Sequence, residues 1–497
     1  MSNASNSSTH SLPHHAMRKP SFPHVHHGYN AIDDEQESSV QGEAVWTKDT
    51  AHATTVTGTV FNIITSLVGV GIVGLPVAMA QAGWIGGMLM LVIATCLAMY
   101  CGKRLSLCMN DGVPGHQFGT YVELGEYCGG TVGKWLGFYA SFGGCLGGSI
   151  FFVISAAEQF ETLFPRALPY NTWALIFGLF TVPVCMYKTL GHVGAVSALG
   201  AATSAIVMLL VVAVVWDEKL EGHTVDVPNH TELFHGNPLD MSYAFVKIIF
   251  AFGGMCVFPE INRCMKQPSK FPLAIYISCG STFIFYVLLM CSTYGVYGDY
   301  ILSDPAYANV IKMLPNNWTA KVMALSMLAH VYAAFVVNMN PIFRGIEIAL
   351  NSDGSDKEIL YRGGLRTVQV LFTVGVAIAV PFFGDVLSLI GASMDSLSGC
   401  ILPAWFYLVL FYQRDLVSTP EAMAQGEVDL KYLSMEQDDT KQLLDTDMRP
   451  SADSIKRHTE ARPQLAEVIL NVVIFVFMTL VAILGTYQSI SSIISKS

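Results

Sequence analysis

Eleven stretches of mostly apolar residues, parted by short polar segments, recur along the chain at 57–81, 84–107, 133–163, 171–187, 192–216, 241–264, 271–295, 318–349, 366–383, 385–411 and 465–490. Each is close to or above the roughly 20 residues that an α-helix needs to cross ~30 Å of hydrocarbon. The first and sixth stretches carry the same interruption. Gly69-Val70-Gly71-Ile72-Val73-Gly74-Leu75-Pro76 lies in one and Gly253-Gly254-Met255-Cys256-Val257-Phe258-Pro259 in the other, and Gly71 precedes Pro76 by the same spacing that separates Gly254 from Pro259. A helix in lipid satisfies its own backbone, so a break is tolerated only where other protein groups or a polar cavity take over. Paired breaks in corresponding positions of two halves point to a transporter's binding site.

Composition agrees with a polytopic membrane protein. Of 497 residues, 52% are hydrophobic and only 13% charged, against about a quarter charged in soluble domains. The net charge of −11 sits largely in polar segments, in the cluster Asp33, Asp34, Glu35 and Glu37 and in a stretch from Glu427 to Asp447. It does not argue for a nucleic-acid partner. Residues 1–54 are His-, Ser- and acid-rich with no apolar core, so a disordered tail and no cleavable signal peptide are expected. The sequence thus divides into that tail, a ten-helix core over 55–411, a charged loop over 412–464, and an eleventh helix with a short end over 465–497. Residues 116–134 read equally as a short interfacial helix and as ordinary loop.

Lys103, Arg104, Lys188, Arg263, Lys266, Lys270, Arg344, Lys357, Arg362, Arg366 and Arg414 flank one side of the spans, and mainly Arg166, Lys219, Lys312 and Lys321 the other. The positive-inside rule then places the N-terminus and the 412–464 loop in the cytosol and the C-terminus outside or in a lumen. The sequon Asn229-His230-Thr231 falls in the longest exterior loop and is the glycosylation candidate. None of the eleven cysteines falls in an exterior loop, so no external disulfide is expected, and no metal-ligand spacing is present. Asp439-x-x-x-Leu443-Leu444 and Tyr29-x-x-Ile32 are short patterns of the kind that sorting adaptors bind, and suit an endosomal, lysosomal or vacuolar membrane as well as the plasma membrane.

A half-helix that starts in mid-membrane presents unpaired N–H groups and its positive dipole end, a place for a carboxylate. The half-helix that stops there presents carbonyls, which suit an ammonium. Two interrupted helices can therefore hold a zwitterionic amino acid without a side-chain ion. The bland alternative is that Gly and Pro merely kink or pack the helices.

The segments FNIITSLVGVGIVGLPVAMAQAGW (61–84), FAFGGMCVFPEINRCMKQPSKFP (250–272) and GASMDSLSGCILPAWFYL (391–408) resemble the first-, sixth- and tenth-helix signatures of the amino acid/auxin permease family. The sixth-helix wording is similar to that of the vesicular inhibitory amino acid carriers and proton-coupled relatives. The resemblance implies an all-α, LeuT-like fold of two inverted five-helix repeats plus one C-terminal helix. It also implies secondary active amino-acid transport, usually driven by protons and in one branch by sodium. Two departures bear on this. Met255 stands where many members have His, and Thr65 where sodium-coupled members have Asn; Ala333-Ala334-Phe335-Val336-Val337 of the eighth span also lacks hydroxyls for sodium. Proton coupling is the better expectation, with no cofactor.

Asp395 lies about 15 Å into the tenth span at ~1.5 Å per residue. An ionisable residue at that depth is a functional candidate, here for proton coupling, with a static hydrogen bond as the alternative. His330 is a second such candidate. Glu260 and Arg263, three residues apart on one helix, suit a gating or structural salt bridge. Asn338 and Asn340 suit hydrogen bonds between helices, and the paired glycines Gly143/Gly147 and Gly144/Gly148 suit close helix packing. The expected substrate site comprises Thr65, Gly69, Val70, Gly71, Gly74, Tyr139, Phe142, Phe250, Phe252, Gly253 and Gly254, between helices one, three, six, eight and ten. The reading is a proton-coupled carrier of small neutral amino acids working by alternating access. A carrier of another solute, such as an auxin-like acid or a polyamine, and an amino-acid sensor signalling through its cytosolic segments are the alternatives. No nucleophile–base constellation speaks for an enzyme.

Overall fold

The computed structural model describes residues 54–68, 70–113, 117–186, 194–221, 230–234, 237–304, 307, 309–314, 317–349, 358–379, 383–412 and 465–496. The tail, the 412–464 loop beyond Tyr412, and with them Asp439, Leu443, Leu444 and Tyr29, fall outside these residues, as do Gly69 and Asn229.

Helix α1 (Val56–Leu67) starts where Thr55 caps it, its side chain accepting from the Gly58 N–H at 3.2 Å. It stops in mid-span. A 3₁₀ turn over Val70–Gly74 follows, and α2 (Leu75–Asp111) opens with Pro76 in its first turn, where the missing N–H costs nothing. Within α2 the chain turns sharply at Gly83 (φ 73°), and the Trp84 and Ile85 N–H groups donate to the carbonyls of Glu232 and Leu233 at 3.0 and 2.8 Å. The 230–234 segment is thereby held against the top of the second span.

Thr120 caps α3 (Tyr121–Phe138) while Glu123 reaches back to the Gly119 N–H. A wide π-turn over Tyr139–Gly143 joins it to α4 (Gly144–Leu163). There follow α5 (Tyr170–Cys185), α6 (Gly194–Leu220), α7 (Pro238–Ala251), a 3₁₀ turn over Met255–Val257, and α8 (Phe258–Arg263). The chain continues through α9 (Phe271–Tyr297), α10 (Val310–Met313), α11 (Trp318–Ala349), α12 (Glu358–Ala379) and α13 (Phe383–Ile390). Two π-turns over Gly391–Asp395 and Leu397–Ile401 lead into α14 (Leu402–Tyr407), and α15 (Leu465–Lys496) is the last helix.

Among the described residues, eight helical stretches are long and apolar enough to cross a membrane. The other three stretches expected to span the membrane hold helices that are shorter or more polar than that measure requires, so eight rather than eleven spans are recognised by length and composition. The first is divided by its break, α5 has 16 residues, and α12 carries Arg362 and Arg366.

Helix α11 packs between α4 and α6, α2 runs along α7 and α9, and α1 lies between α6 and α9. Polar locks hold the two ends of this bundle. On the end where α1 begins, Thr54 pairs with the residues after α8: its N–H donates to the Cys264 carbonyl at 2.7 Å, and Lys266 N–H donates to its own carbonyl at 2.9 Å. Nearby, Arg104 of α2 pairs with Glu467 of α15 at 2.6 Å and stacks over the rings of Tyr100 and Tyr407. On the opposite end, His230 pairs with Asp299 at 2.8 Å. The carboxylate holds this exposed imidazole above its usual pKa range. A raised histidine value means that this contact is complete at acidic pH and is lost as pH climbs through that raised value.

The most deeply buried charges join α11 to α12. Arg366, fully buried, donates to Glu347 at 2.6 Å, and its guanidinium also binds the Cys185 carbonyl at the end of α5. Replacing Glu347 by Ala leaves that cation without its carboxylate, an expected cost of about 3–5 kcal/mol. The exposed pair Lys134–Glu126 is worth at most about 1 kcal/mol. Thermal unfolding of purified variants is expected to drop by many degrees for Glu347→Ala and hardly at all for Glu126→Ala.

Candidate functional site

The two breaks meet. Val68 leaves the helical conformation (φ −79°, ψ 61°) with its N–H still bonded to the Ile64 carbonyl at 2.7 Å. In the second break the Gly253 N–H closes back on Phe250 O at 2.8 Å, and Gly254 adopts the left-handed conformation (φ 86°) before Met255–Val257 turns into α8. A Cβ on Gly254 would lie 2.4 Å from the Ser66 carbonyl oxygen. A Cβ on Gly71 would lie 3.0 Å from the Phe250 ring and 3.1 Å from the Ala251 Cα. Both glycines thus permit backbone-on-backbone approach, and Gly254 also supplies a positive φ that is strained for other residues.

Groups on four other elements satisfy the broken ends. Tyr286 of α9, fully buried, reaches the terminal carbonyls of both stopped helices: its hydroxyl lies 2.6 Å from Ala251 O and 3.3 Å from Leu67 O. One O–H carries one proton, so the short contact to Ala251 is the stronger donation. On the donor side of the second break, the Asp395 carboxylate accepts from the Gly254 N–H. Its Oδ2 stands 2.7 Å from where a Cβ on Gly253 would be. Tyr121 of α3 donates toward Met255 O and Ser398 O, at 3.2 and 2.8 Å. Ser204 of α6 lies 3.5 Å from Val68 O and 2.5 Å from the Nδ1 of His330.

Beside Asp395 lies a hollow of ≈ 10 Å³, bounded by Phe252, Gly253 and Met255 of the second break, Ala94 and Ala98 of α2, and Gly399 and Cys400. That is room for about one water. A larger cavity of ≈ 210 Å³ lies away from the breaks, between α4 and α10. The described residues bring one group of potential metal ligands together, His230, Glu232 and Asp299, with their ligating atoms within 4.8 Å of one another. That group is also remote from the breaks, at the Gly83 turn.

A family model described as "Transmembrane amino acid transporter protein" matches residues 52–420. The chain belongs to this family. It is similar to Amino acid transporter AVT1E of Arabidopsis thaliana, 26% identical over 76% of this chain and 70% of that one. Amino acid transporter ANT1 of the same plant is 27% identical over 71% of this chain and 84% of that one. Among solved structures, the fold is similar to a Na⁺-coupled sialic acid symporter in a substrate-bound outward-open state. The TM-score is 0.51 at 10% identity, over 73% of this chain and 80% of that one. The architecture is therefore the LeuT-like one, and the protein is an integral membrane amino acid transporter rather than an enzyme.

In this transporter Gly71, Gly74, Gly253 and Gly254 all lie in or beside the breaks, as does the backbone of Val70. Phe252 lines the hollow and meets Tyr286 edge-on, with ring centroids 5.3 Å apart. Phe250 stands against Gly71 and Phe151. Thr65 is fully buried, and its hydroxyl donates to the Ser197 carbonyl at 2.6 Å, tying α1 to α6.

The aromatic pair of the third span lies elsewhere. Tyr139 is 44% exposed on the outer surface. Phe142 stacks on Phe138 at 4.5 Å and fills the space over Gly345. Neither lines the hollow; both lie in the π-turn over Tyr139–Gly143. His330 is buried against Gly200 O at 3.0 Å, and its Nε2 has no partner among the described residues. Glu260 and Arg263 form an ion pair at 2.7 Å. Asn338 donates to Cys145 O at 2.8 Å, a link from α11 to α4.

Tyr286 and Tyr121 escaped the sequence reading. Tyr286 lies deep in an apolar span, which signals a buried hydroxyl but not which carbonyl it reaches; Tyr121 lies in the 116–134 segment, outside the expected spans, where nothing in the pattern marks it as buried.

Gly254→Ala forces a side chain into the left-handed region, at about 1–2 kcal/mol, and into the Ser66 carbonyl. At Gly375 an added Cβ would meet nothing within 4 Å, so Gly375→Ala should gain up to about 1 kcal/mol from the helix propensity of Ala. Thermal unfolding is expected to move in opposite directions for the two variants, with uptake lost only in Gly254→Ala.

Proposed function

We propose that this transporter carries small neutral amino acids by alternating access, driven by protons, and that Asp395 takes up the proton. The observation that supports this most is the position of Asp395. It is buried, it has no cationic partner among the described residues, and it is bonded to the N–H of the residue at which the second helix turns. A bare carboxylate is costly in such a place. Protonation removes the charge and weakens its hold on the Gly254 N–H, because hydrogen bonds to ionised acceptors are about twice as strong. The same event therefore reaches the hinge between α7 and α8. The substrate carboxylate is assigned to the N–H groups from Val70 onward, since the donor of the second break is already taken. Its ammonium is assigned to the carbonyl ends near Phe250.

Closure at both ends fits the same cycle. Thr54 against Cys264 and Met265, Tyr121 against Met255 and the Glu260–Arg263 pair shut one end. The α10 segment, tied to α4 by Glu158, shuts the other. By the distribution of basic residues the Thr54 end faces the cytosol.

Purified protein in liposomes should accumulate labelled small neutral amino acids when an inward proton gradient is imposed, and not under a sodium gradient alone. Asp395→Asn should retain exchange of substrate across the membrane but lose concentration driven by the proton gradient. Accumulation driven by sodium alone, or an unaltered response to pH in Asp395→Asn, would overturn the proposal.

A further inference from the structure

Lys247 is a cation inside an apolar span. It lies on α7, one turn before the carbonyl end at Phe250 and Ala251, and only 7% of it is exposed. Taking an ammonium out of water costs several kcal/mol, so an intramembrane lysine marks a functional position.

The ammonium donates to the Oε1 of Gln81 at 3.0 Å. Gln81 belongs to α2, in the short stretch between the first break and the turn at Gly83. The same ammonium lies over the ring of Tyr243, 4.4 Å from its centroid, a contact that strengthens away from water. Tyr243 is itself fixed. Its hydroxyl donates at 3.1 Å to Asp385 of α13, a buried carboxylate that also accepts from Ser492 of α15 at 2.8 Å. A polar chain thus runs from α15 and α13 through α7 to the restarted half of the first span.

Where the bond to Gln81 falls gives it a purpose. Gly71 already lets the first break touch Phe250 and Ala251. One point of contact leaves two helices free to change their angle about it. Lys247 and Gln81 make a second contact between the same two elements, farther from the break, and the two contacts together fix the angle as well as the separation. In the reading above, N–H groups from Val70 onward and carbonyls near Phe250 hold opposite ends of the substrate. That angle sets the gap between them.

We infer that Lys247 is a positioning residue for the substrate: by holding Gln81 it fixes the restarted half of the first span against α7 and pre-forms the gap that the substrate bridges. Its bearing on affinity rests on the placement of the substrate between the breaks.

The test uses the full chain in liposomes loaded with unlabelled protein hydrolysate and given labelled hydrolysate outside. Exchange is then read without an imposed gradient and without a chosen amino acid. The half-saturating concentration and the maximal rate are measured separately. A preorganised site loses affinity when its parts are freed. Lys247→Met, which keeps the length of the side chain without its charge, should therefore raise the half-saturating concentration about tenfold, the scale of one hydrogen bond to a charged group. The maximal rate should hold. A lysine that only helped the protein to fold would do the reverse, lowering the maximal rate at unchanged half-saturation.

Lys247→Arg and Gln81→Glu each keep a charged bond between the two helices and should keep the wild-type value. Gln81→Leu should match Lys247→Met, and the double variant should be no worse than either alone, because both remove one bond. Unshifted half-saturation in Lys247→Met, a fall in the maximal rate alone, or shifts that multiply in the double variant would each overturn the assignment. If Lys247→Met failed to fold, Gln81→Leu against Gln81→Glu would decide by the same measure. Gly254→Ala acts on the break itself, so exchange retained in that variant would count against the placement of the substrate, not against the bond between Lys247 and Gln81. Exchange needs no proton gradient, so a lack of proton-driven accumulation would count against the coupling alone.

Discussion

A backbone polar group with no water to turn to must find its partner in the protein, and this constraint governs the centre of the transporter. Breaking two helices in mid-span releases carbonyls from the stopped halves and N–H groups from the starting ones. In lipid each would cost several kcal/mol. The molecule meets that cost by bringing the two breaks together and surrounding them with a few buried polar side chains. Tyr286 covers the carbonyl ends, Asp395 takes the Gly254 N–H, Tyr121 bridges Met255 and Ser398, and Ser204 stands at Val68. All four come from helices outside the broken pair. Any movement of a half-helix must therefore be matched by movement of, or exchange between, these partners.

That arrangement gives the pair a small number of states. Tyr286 has one proton and two carbonyls within reach, so it can favour either stopped helix. Asp395 binds Gly254 more strongly as an anion than as an acid. A substrate carrying both a carboxylate and an ammonium competes for the same kinds of backbone group. In the proposed cycle, occupation, protonation and the angle of α8 draw on one set of hydrogen bonds, so no separate signalling path is needed.

Much of this was legible in the sequence, and for a physical reason. Glycine followed at fixed spacing by proline marks a place where a helix can stop and restart, and both such places are broken in the structure. Asp395 and the Glu260–Arg263 pair stood out because charge is rare in apolar spans. The side chains that close the shell were less legible. Phe252 borders the hollow but Tyr139 faces outward, although both are aromatic residues in apolar spans. Aromatic rings suit a cavity wall and a lipid-facing surface alike, so residue type does not separate the two. Helical phase normally would, and here it fails because of the π-turns. The span count has a related difficulty: the break in the first helix also divides it below the length by which a span is recognised.

The π-turns are themselves informative about Asp395. It ends the wide turn that begins at Gly391, and a second wide turn follows from Leu397 to Ile401. Ser396 reinforces the first, its hydroxyl donating to the Gly391 carbonyl five residues back at 2.8 Å. Each wide turn adds about one residue to a turn of helix, which rotates everything beyond it by roughly 100°. Gly391 sits directly against the Phe250 Cβ and the Val246 carbonyl, so α7 fixes the start of this stretch. From that anchor the extra residue swings Asp395 to the Gly253–Gly254 corner, while α15 supports the same turns from behind. A regular helix from the same anchor would present a different residue to the hinge. The irregular backbone of the tenth span is thus as much a part of the site as the breaks themselves.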